Sequence, residues 1–367
     1  MSEGVFVVRN EVSTSESLYW REMRQIEVGV LGATGVVGQQ FVVRLSRHPW
    51  FRLTWLAASE RSEGKAYGTT APWRLAAPIP DDAGQRTVES CVPGRGPRLV
   101  FSALDASVAG EIEQAFAAAG HVVVSNARNY RMDPLVPLLI PEVNADHLAL
   151  VGEQQQAKNW KGAIVTNPNC STVVLAMALA PLRQFQLTTV LVSTMQAVSG
   201  AGYPGVPSLD ILGNVVPFIG GEEEKIESET LKILGTDGGR TPHPAIVSAH
   251  TNRVAVIDGH IMTISADLAD RPSIEDVVSA LREFRGRPQE LELPSAPTRP
   301  IVVASESNRP QPRLDADRSD GMAITVGRVR SCKATHTKFV ALGHNTVRGA
   351  AGAAILNAEL MAAEGRL

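Results

Sequence analysis

A chain of 367 residues is long enough for two domains with separate cores. Hydrophobic residues at 44% and charged ones at 20% describe an ordinary globular protein, and a net charge of −3 gives no electrostatic footprint for nucleic acid. The sequence leads us to expect neither a membrane span nor a signal peptide, and its three scattered cysteines (Cys91, Cys170, Cys332) suggest a reducing, cytoplasmic setting without a disulfide framework.

Residues 1 to 24 are polar with weak periodicity and are expected to form an N-terminal extension. Order is expected from Ile26-Glu27-Val28-Gly29-Val30-Leu31, an alternating, β-branched strand. It runs into Gly32-Ala33-Thr34-Gly35-Val36-Val37-Gly38 and then a helical stretch, Gln39 to Ser46. Strand, glycine turn and helix in that order make the setting of a dinucleotide-binding loop. The glycines let the backbone turn tightly and approach a pyrophosphate, whose charge rests on the helix N-terminus. A second strand, Leu53 to Ala57, ends about twenty residues later, where a dehydrogenase chooses between NAD and NADP. There Ala58-Ser59-Glu60-Arg61-Ser62 offers one guanidinium and two hydroxyls to a 2′-phosphate, favouring NADP if the Glu60 side chain points away.

Residues 64 to 97 are expected to be loop with short strands. A strand at Leu99 to Ala103, an Asp105 N-cap with a helix to Ala119, and a strand at His121 to Val124 continue the alternation. The pattern predicts an α/β fold: a doubly wound, Rossmann-like domain over residues 25–166, with Ser125, Asn126 and Arg131 at a strand's carboxyl end, where ligands bind.

A β-branched approach, Ala163 to Val165, ends in Thr166-Asn167-Pro168-Asn169-Cys170-Ser171-Thr172 and an apolar helical run. Cys170 is thereby placed on a helix's first turn. Unpaired N–H groups and the dipole there favour a thiolate near neutral pH, and the same N–H groups suit the oxyanion of a tetrahedral intermediate. No paired Cys-x-x-Cys or His-x-x-x-His spacing accompanies it, so no metal is expected.

Residues 167–344 read as an α+β domain with a large mixed sheet. Its strands are expected at Thr188 to Gln196, Ile246 to Ala249, Arg253 to Ile257, Ile261 to Ala266, Ile301 to Ser305, Ala323 to Arg330 and Lys338 to Leu342. Helices are expected from Glu222 to Leu234 and from Ser273 to Phe284; Glu222 and Lys225 share a face and offer both signs of charge to one small molecule. A last helix, Asn345 to Met361, is rich in small residues and is expected to pack back against the nucleotide domain, so that residues 345–367 complete it.

Together these motifs resemble the archaeal and fungal branch of the aspartate-semialdehyde dehydrogenase family, from about Ile26 to the C-terminal helix. The resemblance rests on the glycine loop, Ala58 to Ser62, Pro137-Leu138-Leu139-Ile140-Pro141-Glu142-Val143-Asn144, Asn167 to Thr172 and Gln196-Ala197-Val198-Ser199-Gly200-Ala201-Gly202. It extends through Asn252-Arg253-Val254, Asp258-Gly259-His260 and Gly327-Arg328-Val329-Arg330.

The resemblance implies NADPH-dependent reductive dephosphorylation of L-aspartyl 4-phosphate, a step shared by lysine, methionine and threonine synthesis, in a homodimer or homotetramer. It implies Cys170 as nucleophile, His260 as acid/base and Gln196 as the residue orienting substrate, beside the site-lining Asn169. Arg253 would hold the α-carboxylate, Glu222 the amino group, and Lys225 and Arg131 the phosphate, with Arg128 a competitor for the last role. The cofactor would lie against Gly32, Thr34, Gly35, Val36, Val37 and Gly38, against Ser59, Arg61 and Ser62, and against Ser199, Gly200 and Asn345. Malonyl-CoA reductase and N-acetyl-glutamyl-phosphate reductase share the chemistry, but neither substrate presents the free amino group that Glu222 would face. A silent nucleotide-binding regulator is the reading from another class; retention of both Cys170 and His260 argues against it.

Overall fold

The computed structural model describes residues 25–367; the expected extension over residues 1–24 lies outside them. Two six-stranded sheets organise the described residues. The first contains β1 (Ile26–Leu31), β2 (Phe51–Ala58), β3 (Glu89–Ser90), β4 (Leu99–Ser102), β5 (Val122–Ser125) and β6 (Ala163–Thr166). Its order is β3-β2-β1-β4-β5-β6, all parallel. The chain reverses its direction of travel across the sheet between β1 and β4, and the crevice at such a switch point is where dinucleotides bind.

Helices cover both faces, as a parallel sheet requires. Phe41, Val42 and Leu45 of α1 (Val36–Leu45) pack on one face, and Phe116 and Ala117 of α2 (Ala106–Ala118) on the other. Asp105 caps α2 by accepting from the Ser107 N–H, as its sequence position predicts. The helix α3 (Leu150–Lys158) went unread in the sequence because its polar surface carries no continuous apolar stripe. Residues 64–97 hold a short strand, as expected, but also two one-turn helices, Tyr67–Thr70 and Asp81–Gly84.

The second sheet contains β7 (Leu187–Gln196), β8 (Ile246–Arg253), β9 (His260–Leu268), β10 (Ile301–Ala304), β11 (Ile324–Ser331) and β12 (Thr337–Gly343), in the order β10-β11-β12-β9-β7-β8. Parallel pairs at both edges and antiparallel pairs between them make it the mixed sheet expected. One expectation fails. Ile246–Ala249 and Arg253–Ile257 are not two strands, because β8 stays in register with β7 from Thr189↔Ile246 to Gln196↔Arg253. The chain beyond Arg253 turns back to His260 instead, so both residues stand at strand ends.

Against the inner face of this sheet lies α4 (Cys170–Leu179), buried from Ser171 to Leu179. Each fully buried Val or Leu of such a helix contributes about 1.5–3 kcal/mol, so α4 is held by packing on all sides rather than by an amphipathic stripe. Helix α5 (Glu222–Leu234) closes the open edge of β8: Glu223 accepts from the Thr251 N–H and Glu227 from the Ala249 N–H. Helix α6 (Ile274–Glu283), begun by a Ser273–Asp276 capping box, buries Val277 and Leu281 in the same core.

The C-terminal segment returns to the nucleotide domain as expected, but it does not start as a helix at Asn345. A π-turn, Val347–Ala351, precedes α7 (Gly352–Ala363). Arg348 in that turn is wholly buried and donates to both oxygens of Glu142 at 2.8 and 2.6 Å, bolting the segment to the Pro141–Asn144 turn.

Candidate active site

Cys170 is the first residue of α4 and is partly exposed as a residue, with its sulfur turned inward 3.2 Å from Nε2 of the fully buried His260. Asn169 is the N-cap: its Oδ1 accepts from the Ser171 and Thr172 N–H groups. Two of the first-turn donors expected to serve an oxyanion are thereby engaged by a side chain. Nδ2 of Asn169 donates to Glu222 at 2.8 Å, and the other Glu222 oxygen accepts from Lys225 Nζ at 2.6 Å. Although burial favours its protonated form, Lys225 and these hydrogen bonds hold the Glu222 carboxyl below the usual carboxylate range.

Charges converge on the sulfur: Glu222 opposes its ionisation, while Arg131, Arg253 and Lys225 favour it. Burial outweighs them all and pushes the thiol up to about 12. Burial therefore works against the resting thiolate expected near neutral pH. A helix N-terminus acts within a turn and is worth about 1 kcal/mol, too little to offset desolvation of a sulfur anion in this site. His260 is fully buried, and burial, with the Arg253 guanidinium adding to it, pushes the imidazole down to about 3.

Arg253 ends β8 and donates to the Ala197 carbonyl at 2.8 Å; backbone bonds in both directions with Val216 hold its strand end. Gln196 ends β7 in register with Arg253, is buried, and donates to the Thr194 hydroxyl. Gly200 lies against this pair, where a Cβ would stand 2.9 Å from the His260 ring and 3.0 Å from Arg253 Nη1. Arg131 is buried beside the site while its rival Arg128 is exposed.

Asn345 links the turn after β7 to the start of β9. Its Nδ2 donates to the Ser199 hydroxyl and its Oδ1 accepts from the Gly259 N–H, one residue before His260. The π-turn makes this reach possible by keeping Asn345 out of the helix. Gly349 in the turn packs on Cys170, since a Cβ there would stand 2.6 Å from Cys170 Cβ.

The glycine loop fits a dinucleotide. Gly32 has φ +74°, and a Cβ on it would stand 2.6 Å from the Ala103 carbonyl oxygen; one on Gly38 would stand 2.3 Å from that of Gly32. Gly35 caps α1 without a side-chain bond, so the first-turn N–H groups of Val36, Val37 and Gly38 have no capping side chain, and Thr34 stands just before them. At the end of β2, Ser59, Glu60 and Arg61 are exposed and Ser62 is buried.

Three residues escaped the sequence reading: Glu229, Arg348 and Gly349. Buried charges at positions 222, 229 and 232 recur at helical spacing along α5, which is the one signal that could have marked Glu229.

A dinucleotide crevice joined in this way to a Cys–His site is the architecture of the semialdehyde dehydrogenases. Residues 27–151 match the family model of the semialdehyde dehydrogenase NAD binding domain, and residues 179–348 that of the dimerisation domain. An aspartate-semialdehyde dehydrogenase of Archaeoglobus fulgidus is 52% identical over 340 residues, covering 92% of this chain and 98% of its own. That of Schizosaccharomyces pombe is 49% identical over 351 residues, covering 92% and 98%. The crystal structure of aspartate semialdehyde dehydrogenase with NADP from Candida albicans superposes with a TM-score of 0.85 at 42% identity, covering 94% of this chain and 100% of that one. The chain belongs to the aspartate-semialdehyde dehydrogenase family.

Proposed function

We propose that this chain converts L-aspartyl 4-phosphate and NADPH to L-aspartate 4-semialdehyde, phosphate and NADP, the step shared by lysine, methionine and threonine biosynthesis. The observation that carries the reading is the Cys170–His260 contact at a helix tip, ringed by Glu222, Arg253, Lys225 and Arg131. The substrate bears an ammonium, a carboxylate and a phosphate, and the ring supplies a partner for each. Arg253 grips the carboxylate, Glu222 faces the ammonium, and Lys225 and Arg131 take the phosphate. Asn169 and Gln196 line the space between them.

Sulfur attacks the acyl carbon, the carbon–oxygen bond to phosphate breaks, and a thioester forms on Cys170. Once release of the Ala197 N–H lets the ring carry its hydrogen on Nδ1, the thiol proton passes to the freed Nε2 of His260, 3.2 Å away, and Glu222 stabilises the imidazolium electrostatically. NADPH, when bound, supplies hydride to the thioester carbon. His260 then returns the proton as the hemithioacetal oxygen forms the aldehyde and sulfur departs. The glycine loop would hold the pyrophosphate, Ser59, Arg61 and Ser62 the 2′-phosphate, and Ser199, Gly200 and Asn345 the nicotinamide end.

We further read the protein as a cytoplasmic homodimer or homotetramer. Among the described residues no helix is long and apolar enough to cross a membrane. The alternating strands β7 and β8 leave Leu191 and Ile246 exposed on the outer face of the second sheet, within the span matching the dimerisation domain. A second copy is the occupant we assign to that face.

Mixing the protein with aspartyl phosphate but no reductant, then mapping the adduct by mass spectrometry, tests the chemistry. The acyl group should be on Cys170; its absence, or its presence on Cys91 or Cys332, overturns the reading. NADPH oxidation with malonyl-CoA or N-acetyl-glutamyl phosphate, but not with aspartyl phosphate, would overturn the substrate.

A further inference from the structure

Glu229 lies two turns along α5 from Glu222, on the same face, and is buried. Its two oxygens face different partners. Oε1 accepts from Arg131 Nη1 at 3.0 Å, and Oε2 accepts from the backbone N–H of Asn169 at 2.6 Å. The first partner is the arginine assigned to phosphate, and the second is the residue immediately before the nucleophile.

We propose that Glu229 is a positioning residue that locks the phosphate-binding arginine to the cysteine-bearing turn, setting where phosphate sits relative to the sulfur. The inference rests on the assignment of Arg131 to phosphate in the reading above. The rest of Arg131 suits that role: Nη2 donates to the Asn126 carbonyl at 2.7 Å, while Nε is buried without a protein partner. A guanidinium held by two arms and left with an unused buried donor is prepared for an anion rather than merely paired off. Lys232, one turn further along α5, anchors the same loop by donating to the Arg131, Asp133 and Val136 carbonyls. One helix therefore fixes the loop bearing Arg131 at two points and the nucleophile's turn at a third.

The carboxylate is needed at both ends because both partners are donors. A glutamine at 229 has one acceptor oxygen, so its NH2 group must oppose either the Asn169 N–H or the guanidinium. An aspartate keeps the charge but is too short to span the two donors.

The test uses the oxidative direction, with NADP, L-aspartate semialdehyde and inorganic phosphate each varied, on the wild type, Glu229→Gln, Glu229→Asp and Arg131→Ala. Either Glu229 variant should raise the KM for phosphate by about tenfold, roughly the orienting effect of one charge-assisted hydrogen bond. The KM for the semialdehyde should stay within about twofold, since Arg253 is not touched. Adding Glu229→Gln to Arg131→Ala should produce no further rise in the phosphate KM. Equal rises in both KM values, a fall in kcat alone, or additive effects with Arg131→Ala overturn the proposal. If Glu229→Gln does not fold, Glu229→Asp decides it alone, and a wild-type phosphate KM in that variant overturns it. Wild-type protein that turns over without any dependence on phosphate would instead sink the activity reading itself.

Discussion

The backbone N–H of Ala197 donates to Nδ1 of His260 at 3.1 Å, and this single bond decides which ring nitrogen faces the cysteine proton-bearing. With Nδ1 accepting, the neutral imidazole carries its hydrogen on Nε2, directed at the Cys170 sulfur 3.2 Å away. Burial of both groups thus favours a thiol beside a neutral imidazole over a thiolate–imidazolium ion pair. For Nε2 to take the thiol proton, the ring hydrogen must first move to Nδ1, which requires the Ala197 N–H to let go of that nitrogen.

Alkylation should expose that resting state. A thiol whose pKa is raised gains anion as pH rises, so Cys170, at about 12, should react with iodoacetamide about tenfold faster per pH unit from 7 to 10. Cys332, lowered to about 7 by hydrogen bonds from the Thr335 hydroxyl and neighbouring amides, should be modified first at pH 7. Peptide mapping reads both. A plateau for Cys170 near pH 7 would show a preformed thiolate.

His260→Ala should lower kcat by about 10²–10⁴. A depressed histidine gains charge only as pH falls toward its folded value, here about 3. In the free wild-type enzyme, the kcat/KM profile should therefore show no acid limb between pH 5 and 8 that vanishes in this variant. A limb near 6.5 that disappears with His260 would contradict the geometry.

Gly349→Ala adds a methyl 2.6 Å from Cys170 Cβ. Overpacking of this kind costs about 1–3 kcal/mol, and here the neighbour that must shift is Cys170. Lower kcat with nearly unchanged NADPH affinity is expected; wild-type kcat would show that the π-turn yields freely.

Glu142→Gln leaves the Arg348 guanidinium buried without a counter-charge. Denaturant unfolding should show a loss of about 3–5 kcal/mol. Stability within 1 kcal/mol of wild type, on the order of a surface pair, would mean that the two charges are not mutually dependent.

Arg61→Ala should weaken NADPH much more than NADH, measured by fluorescence titration, because only NADPH carries the 2′-phosphate. Equal losses would remove Arg61 from cofactor choice.

Local chemistry is legible in the order of the amino acids. Alternation and glycine spacing gave β1, the dinucleotide loop and α1, while Asn-Pro-Asn before an apolar run gave α4 with Cys170 at its start. The ordered motifs of the family gave Arg253, Glu222, Lys225 and Arg131 as site candidates, and the structure does bring them around one sulfur. Tertiary structure decided everything that depends on who stands opposite whom. Asn169 Oδ1 engages donors that looked available for an oxyanion. Burial works against the expected ionisation of Cys170, because desolvation is a property of the finished packing and not of a helix end. Glu229 and Gly349 matter only through Arg131, Asn169 and Cys170, partners 98, 60 and 179 residues distant in the chain or across the domain boundary, and periodicity carries no record of such partners.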